Sequence, residues 1–457
     1  MVDKDTLRTI VSGYCPLLPR LCTLPSELLE MIRHHSRHGL LWRCIPALQL
    51  AAHVSATKPE PLLTVSLREL LSWECGGKLE RVTASQSPLT TLRLSVDSVD
   101  ISKVERLPGP LPYAGECTSR AAFIVQDEAS ILGVTAQLKD RRLRLRFHAG
   151  AQPMLPIWNT HAPPSLTLCK ASPPVLASCQ ALYAVEMDRV KGITFFFSNG
   201  LLFGIHGHRS EESCAADTFT RLHNFLRRSI VWIYLPISEC DRALVLGIRE
   251  ALQTRDLSIF VRTERIGDVI IGLQCGGNDD AKNQCLAVSA PVTMIYGEPK
   301  EGRAVRFFGA HCRRALDQPL LEPFRLAKPG PSPIDKYAYF SCAPLRGVSS
   351  TLVFYDQSTG FCRGIVLRYD NGGSRAVGQC RLQVDPAERV ARPARLCFRA
   401  DSSSPRRPNR KIYTVQVKFK QSSPTNDSDI EGWESRPMDG LVKFWFTHES
   451  SVLVVES

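Results

Sequence analysis

His206 and His208 stand two residues apart in GIHGHRSEES (204–213), with Cys214 just beyond. On an extended strand, residues i and i+2 share a face, so the two imidazoles point to one side and form a partial metal-ligand set with the thiol. A zinc site needs further ligands, usually a second pair, and none follows; surface or half-buried histidines in a turn account for the same residues. The second group lies in YDNGGSRAVG (369–378). There Asp370, Asn371 and Arg375 can hydrogen-bond a sugar or a peptide, and the glycines allow close backbone approach. Asn371-Gly372 is also a type I′ turn signal, and both readings stay open. His34, His35 and His38 include an i, i+4 pair, but the preference of a helix C-terminus for cations explains them. No GxSxG, HExxH, Walker loop, GxGxxG or kinase set occurs. The chain is therefore expected to carry no catalytic residues, no cofactor and no metal, and an enzyme of unfamiliar type would have to rest on His206 and His208.

The elements that position these residues are strands for most of the length. LRLSVDSVDI (92–101), AAFIVQD (121–127), VTAQLK (134–139) and RLRLRFH (142–148) alternate with period two. In the last of these Leu143, Leu145 and Phe147 are expected to face inward and Arg142, Arg144 and Arg146 outward. That cationic stripe suits an acidic partner or a plain solvated face that discourages edge pairing. Pro-rich stretches at 155–179 and 326–336 divide the chain. After each, a similar unit begins: Val190, ITFFF and Gly200-x-x-x-Gly204-Ile205, then Val348, TLVFY and Gly360-x-x-x-Gly364-Ile365. Each reads as a hairpin with glycine in the turn and near the start of the return strand. The later runs 258–272 and 411–420 match as closing strands, so the reading is a duplicated β module. Turns of such two- or three-sheet folds, β-prism and β-trefoil lectins among them, commonly present binding surfaces.

The opening differs. In LPSELLEMI (24–32), Leu28, Leu29, Met31 and Ile32 recur at spacings of three and four, which places them on one face of a helix expected over about 25–37. Pro25 and Ser26 suit its start, Glu27 and Glu30 the positive end of its dipole, and Gly39 its stop. Pro46 should end or kink any helix over Leu40, Leu41, Ile45 and Leu48. The helix precedes a polar stretch (53–61) and has no sequence-adjacent mate of similar length, so its apolar face either meets another protein or packs on the β-rich body.

This stretch resembles an F-box, through the pattern Leu-Pro-x-Glu-Leu-Leu-x-x-Ile at Leu24, Pro25, Glu27, Leu28, Leu29 and Ile32, with Leu40 and Leu41 as the next Leu-Leu pair. It departs from that family at Pro46 and in lacking a Val-x-x-x-Trp ending. The resemblance implies docking on a Skp-type linker subunit of a cullin-RING ubiquitin ligase through Leu24, Pro25, Leu28, Leu29, Ile32, Leu40 and Leu41, with the rest of the chain recruiting a target protein. The longer layout is similar to a group of filamentous-fungal proteins that join a degenerate F-box to a β-rich region. GLLWRCIPALQLA, GITFFFSNGLLFGIHGH, YGEPKEG, TGFCRGI, AVGQCRL and LVKFWF carry that similarity, which implies no activity of its own.

Bulk properties fit these readings. The 457 residues are 44% hydrophobic and 22% charged, enough for several cores, and the +12 formal charge is spread along the chain, so nucleic-acid binding is permitted but not indicated. Sixteen cysteines are far apart with no CxxC, and MVDKDTLRTI has no apolar h-region. The expectation is an intracellular chain, cytoplasmic or nuclear, with reduced thiols that act as small hydrophobes and no membrane span. The expected fold class is mainly β with a short N-terminal α-helical segment and several domains: a helical segment at 15–55, a β-rich domain at 60–160, and β modules at 175–325 and 330–457. The segments 401–411 and 421–435 are expected to be mobile loops. The leading functional expectation is a non-catalytic adaptor; the alternative is an intracellular carbohydrate- or ligand-binding, lectin-like β protein.

Overall fold

A computed structural model describes residues 19–36, single positions between 42 and 55, and residues 61–82, 90–109, 121–147, 155–173, 181–210, 213–251, 256–274, 281–299, 302–312, 324–325, 330–403, 411–421 and 432–457. Strands dominate, as period-two alternation requires. Among the described residues a short 3-10 turn (Pro19–Thr23) precedes helix α1 (Ser26–His35). Strands β1 (Leu63–Ser66), β2 (Leu70–Glu74), β3 (Glu80–Arg81), β4 (Thr91–Val96), β5 (Ile101–Leu107), β6 (Ala122–Asp127), β7 (Val134–Lys139) and β8 (Arg142–Phe147) follow. The chain divides into two compact units, residues 1–65 with 136–145, and 66–135 with 146–457. Strands β1, β7 and β8 form a three-stranded sheet. On β8, Leu143 is buried and the three arginines are exposed as expected, but Leu145 is half-buried and Phe147 is exposed.

The larger unit continues with β9 (Ile157–Trp158), β10 (Cys169–Ser172), β11 (Ala181–Glu186), β12 (Gly192–Ser198) and β13 (Leu201–His208). Helices α2 (Ala216–Arg221) and α3 (Asn224–Arg227) then precede β14 (Val231–Pro236), β15 (Ala243–Ala251), β16 (Leu257–Thr263), β17 (Gly267–Gly272), β18 (Ala281–Ala287), β19 (Val292–Gly297) and β20 (Phe308–Cys312). Ten strands share one sheet in the order β10-β20-β19-β11-β9-β6-β4-β5-β2-β3. The boundary expected between 160 and 175 is thus crossed by a continuous sheet, joined where Ala181 and Leu182 pair in parallel with Ile157 and Trp158.

A second half follows: β21 (Tyr339–Pro344), β22 (Val348–Tyr355), β23 (Cys362–Tyr369), β24 (Ser374–Gly378), β25 (Ala387–Ala391), β26 (Arg395–Ser403), β27 (Ile412–Lys420), β28 (Glu434–Pro437), β29 (Leu441–Phe446) and β30 (Ser451–Glu456). Its sheets are β21-β29-β30, β24-β23-β22-β25 and β27-β26-β28, and the first half has β13-β12-β14 and β17-β16-β15-β18. The two hairpins share a register. Phe195 and Phe196 pair with Ile205 and Gly204, and Val353 and Phe354 pair with Ile365 and Gly364. Both then slip by a bulge, after Phe196 and after Phe354. Gly200 turns the first hairpin at φ 79°, a left-handed conformation natural to glycine, and Gly360 occupies the second turn at φ 70°.

The halves are not separate cores. Phe195, Phe197 and Ile205 of the first hairpin belong to the same buried cluster as Val353, Ile365 and Leu367 of the second. Tyr339 joins them: its ring lies 5.9 Å from both Phe197 and Phe446, and its hydroxyl accepts the Gly200 N–H at 3.0 Å. Strand β12 is buried along its whole length. One face meets this core; on the other, Phe196 packs with Phe203, Leu222 and Trp232, where Phe219 and Leu226 of α2 and α3 also pack. A strand covered on both faces reads as a continuous apolar run, which is why ITFFF does not alternate. Among the described residues no helix is long and apolar enough to cross a membrane.

Candidate functional site

Helix α1 is shorter than expected, ending at His35, with Pro25 before its first residue and the Leu29 N–H bonded to the Pro25 carbonyl at 3.2 Å. Ser36 closes it, N–H to the Ile32 carbonyl at 2.8 Å, and the Trp42 indole donates to the Ser36 hydroxyl at 2.6 Å. Trp42, Ala47, Leu50, Ala51 and Ser55 are helical; Gly39, Leu40, Leu41, Ile45, Pro46 and Leu48 lie outside the described residues. Because successive residues turn by about 100°, Met31, Leu28, Ile32 and Leu29 follow one another around an arc of about 160°. Their exposure falls in that same order, 57%, 44%, 37% and 0%. Leu29 is seated in the protein, while the other margin of the stripe stands open. Met31, the most exposed of the four, was not among the residues expected to dock. Leu24 is half-buried and Pro25 exposed.

The histidine pair is brought together and fully occupied. His208 Nδ1 lies 2.9 Å from the Ser213 carbonyl, which can only accept, so that nitrogen carries the proton and Nε2 accepts from the Thr194 hydroxyl at 2.7 Å. His206 bonds the Thr218 and Ser213 hydroxyls at 2.9 and 3.1 Å. The rings meet edge to face with centroids 4.8 Å apart. Burial, then the neighbouring His208 and Arg221, lowers His206 to about 4, and burial also lowers His208. These are neutral imidazoles that tie α2 and its approach to β13. Cys214 turns elsewhere, its sulfur 3.9 Å from the Leu382 and Gln383 carbonyls. Among the described residues no group of three or more His, Cys, Asp or Glu is placed to hold a metal ion.

The 369–378 loop is a clamp between the halves. Arg375 donates to the Ile266 and Asp268 carbonyls at 2.6 and 2.9 Å and to the Cys342 carbonyl at 3.4 Å. Asn371 Nδ2 donates to the Arg265 carbonyl at 3.0 Å, and Arg265 returns a bond to the Asn371 carbonyl at 3.0 Å. Ser238 donates to the Gly372 carbonyl at 2.5 Å. Asp370 is exposed, and its N–H bonds the Gly347 carbonyl at 2.9 Å. The turn itself corrects the type I′ expectation. That type needs two left-handed residues, but only Gly372 has positive φ, and its N–H bonds the Tyr369 carbonyl at 3.0 Å. The loop is a hydrogen-bonded turn in which Gly372 alone is left-handed.

No known family model matches this chain, and no curated protein matches it. The arrangement must therefore be read from its own geometry: an apolar helix stripe left partly open, a neutral histidine pair whose nitrogens are used, and a loop spent on internal bonds. Thiols follow the same rule in part: Cys312, Cys362, Cys380 and Cys397 are buried, whereas Cys75 and Cys240 are exposed. One further feature is a cleft where the two halves meet; the 204–213 and 369–378 loops both contribute to its lining, but the linear order did not join them, because its residues come from segments almost 200 positions apart.

Proposed function

We propose that this chain is a non-catalytic adaptor that docks on a Skp-type linker subunit through the open margin of α1, while its β body engages a target protein for ubiquitin transfer. The observation that carries the reading is the exposure gradient across Met31, Leu28, Ile32 and Leu29, on a helix whose sequence has the Leu-Pro-x-Glu-Leu-Leu-x-x-Ile pattern. A helix that served only its own core would turn the middle of its apolar arc inward; here the buried residue is at one edge. Full burial of an aliphatic side chain contributes roughly 1.5–3 kcal/mol, so covering the exposed parts of Leu28, Met31 and Ile32 supplies about 2–4 kcal/mol to an interface. Glu27 in the first turn and the Glu30–Arg33 ion pair (3.4 Å) give the stripe a polar border.

We also read the two β halves as copies of one module. What supports this is the shared hairpin register with its bulge, and the matching order in which β11-β19-β20 and β21-β29-β30 are joined. In place of the tight 370–373 turn and β24, the first half has α2 and α3. The test of the adaptor reading is capture of a Skp linker protein by the full chain and its loss in Leu28→Asp and Met31→Asp, with the unfolding transition unchanged. Loss of folding in those variants would assign the stripe to the protein's own core.

A further inference from the structure

A cleft of about 500 Å³ lies where the outer face of the β24-β23-β22-β25 sheet meets β14. Register fixes one wall. Arg389, Leu352 and Val366 form a row across β25, β22 and β23, and Ser350 pairs with Arg368 in the next row on the same face, since alternate residues of a strand share a side. Two guanidinium groups thus flank an apolar strip, and both residues are exposed.

Tyr234 of β14 also lines the cleft and packs beside that strip, against the cluster of Phe354, Val366 and Cys380. Its ring lies over Gly192, where a Cβ would stand 2.4 Å from the phenolic oxygen. The hydroxyl donates to the Lys191 carbonyl at 3.1 Å, and the ring meets His208 edge to face at 5.4 Å. The Tyr234 ring is therefore held in place before any ligand arrives. The Lys191 amine, paired at 3.1 Å with the exposed Glu239, stands at the mouth. Hydroxyls of Ser238 and Ser349 donate to the Gly372 and Arg368 carbonyls and keep acceptor capacity toward the cleft.

The lining thus combines a fixed aromatic ring, hydroxyls, and three cations, Lys191, Arg368 and Arg389, against one carboxylate, Glu239. A junction between packed modules is a common place for a ligand, and the volume is in the range of small-molecule sites. Polar groups there recognise hydroxyls, an aromatic face covers the C–H side of a sugar ring, and arginine pairs with carboxylate or phosphate in a fork.

We propose that this cleft binds a small anionic saccharide, a sugar ring carrying a carboxylate or a phosphate, set against the exposed part of Tyr234 with its charge on Arg368 and Arg389. The site is independent of the α1 docking surface. Both loops singled out in the sequence line it, through His208 and Ser210 and through Tyr369, Gly372, Gly373 and Ser374, while His206, Asn371 and Arg375 are committed to internal bonds.

The test is calorimetric titration of the full chain with glucuronate, glucose 6-phosphate, glucose and inorganic phosphate at fixed ionic strength. Glucuronate or glucose 6-phosphate, or both, should bind at least tenfold more tightly than glucose and than inorganic phosphate. Which of the two binds identifies the anionic group. Arg389→Ala, at an exposed position, should weaken that binding at least tenfold with the unfolding transition unchanged, and Tyr234→Leu should weaken it as well. Equal affinity for glucose, equal affinity for inorganic phosphate, no binding of either charged sugar at millimolar concentration, or undiminished affinity in Arg389→Ala would each overturn the proposal.

Discussion

Acid should weaken this fold through His206 in a measurable and removable way. An ordinary histidine titrates at 6.5, and burial beside His208 and Arg221 brings His206 down to about 4. The unfolded chain then takes up a proton near the ordinary value, while the folded chain refuses it until the pH is much lower. Between those two values the unfolded state binds more protons, so stability falls as the pH drops, with nothing lost above neutrality. Each unit of separation corresponds to about 1.4 kcal/mol, which makes the full loss about 3 kcal/mol and the loss by pH 5 about 2 kcal/mol. The perturbation is His206→Gln, which keeps a polar side chain near the Thr218 and Ser213 hydroxyls and cannot titrate. Urea unfolding followed by tryptophan fluorescence at pH 7 and pH 5 gives the change in each protein, and carboxylates common to both cancel in the difference. The parent should lose about 2 kcal/mol more than the variant over that interval. Equal losses would refute the reasoning, since they would mean that His206 accepts its proton in the folded state without penalty.

The two equivalent glycines should respond unequally to a methyl group. At Gly364 an added Cβ meets the Gln379 backbone at 2.7 Å, whereas at Gly204 it meets the movable Phe196 ring edge at 3.2 Å. Gly364→Ala should therefore cost about 3 kcal/mol and Gly204→Ala about 1 kcal/mol by chemical unfolding; the reverse order would contradict the packing. Arg375→Ala removes the bonds to the Ile266 and Asp268 carbonyls and should destabilise by about 3 kcal/mol, while a loss below about 1 kcal/mol would show that the loop is no clamp. Cys362 and Cys380 are wholly buried with their thiols pushed up by burial. A thiol reagent should label exposed Cys240 in the folded chain and leave these two until unfolding.

Much of the architecture could be read from residue order. Alternation located VTAQLK as β7 with its ends intact, and the glycine pairs that follow the apolar runs placed the hairpins at ITFFF and TLVFY. Apolar spacing located α1, because three- and four-residue repeats have no other regular solution. Harder to read was anything set by segments far apart. The Pro-rich stretch near 330 looked like a divider between cores, yet Tyr339 just beyond it bonds Gly200 and joins the first half's aromatic residues. Arg375 and Asn371 have the chemistry of a ligand loop, and what consumes them are carbonyls more than a hundred residues away. His206 and His208 shared a face as the strand period predicts, but the hydroxyls and carbonyl that occupy their nitrogens come from the segment running into α2, Thr194 excepted. The same limit applies to the helix stripe: spacing identified its residues, whereas which margin stays open depends on what Leu29 packs against.

The measurement that bears most directly on the adaptor account is capture of a purified Skp linker protein by the full chain, beside Leu28→Asp and Met31→Asp with matched unfolding transitions. The account predicts capture by the parent and loss in both variants, because a charge forced into an apolar contact cannot be solvated there. Absence of capture by the parent, or equal capture by parent and variants, would contradict it.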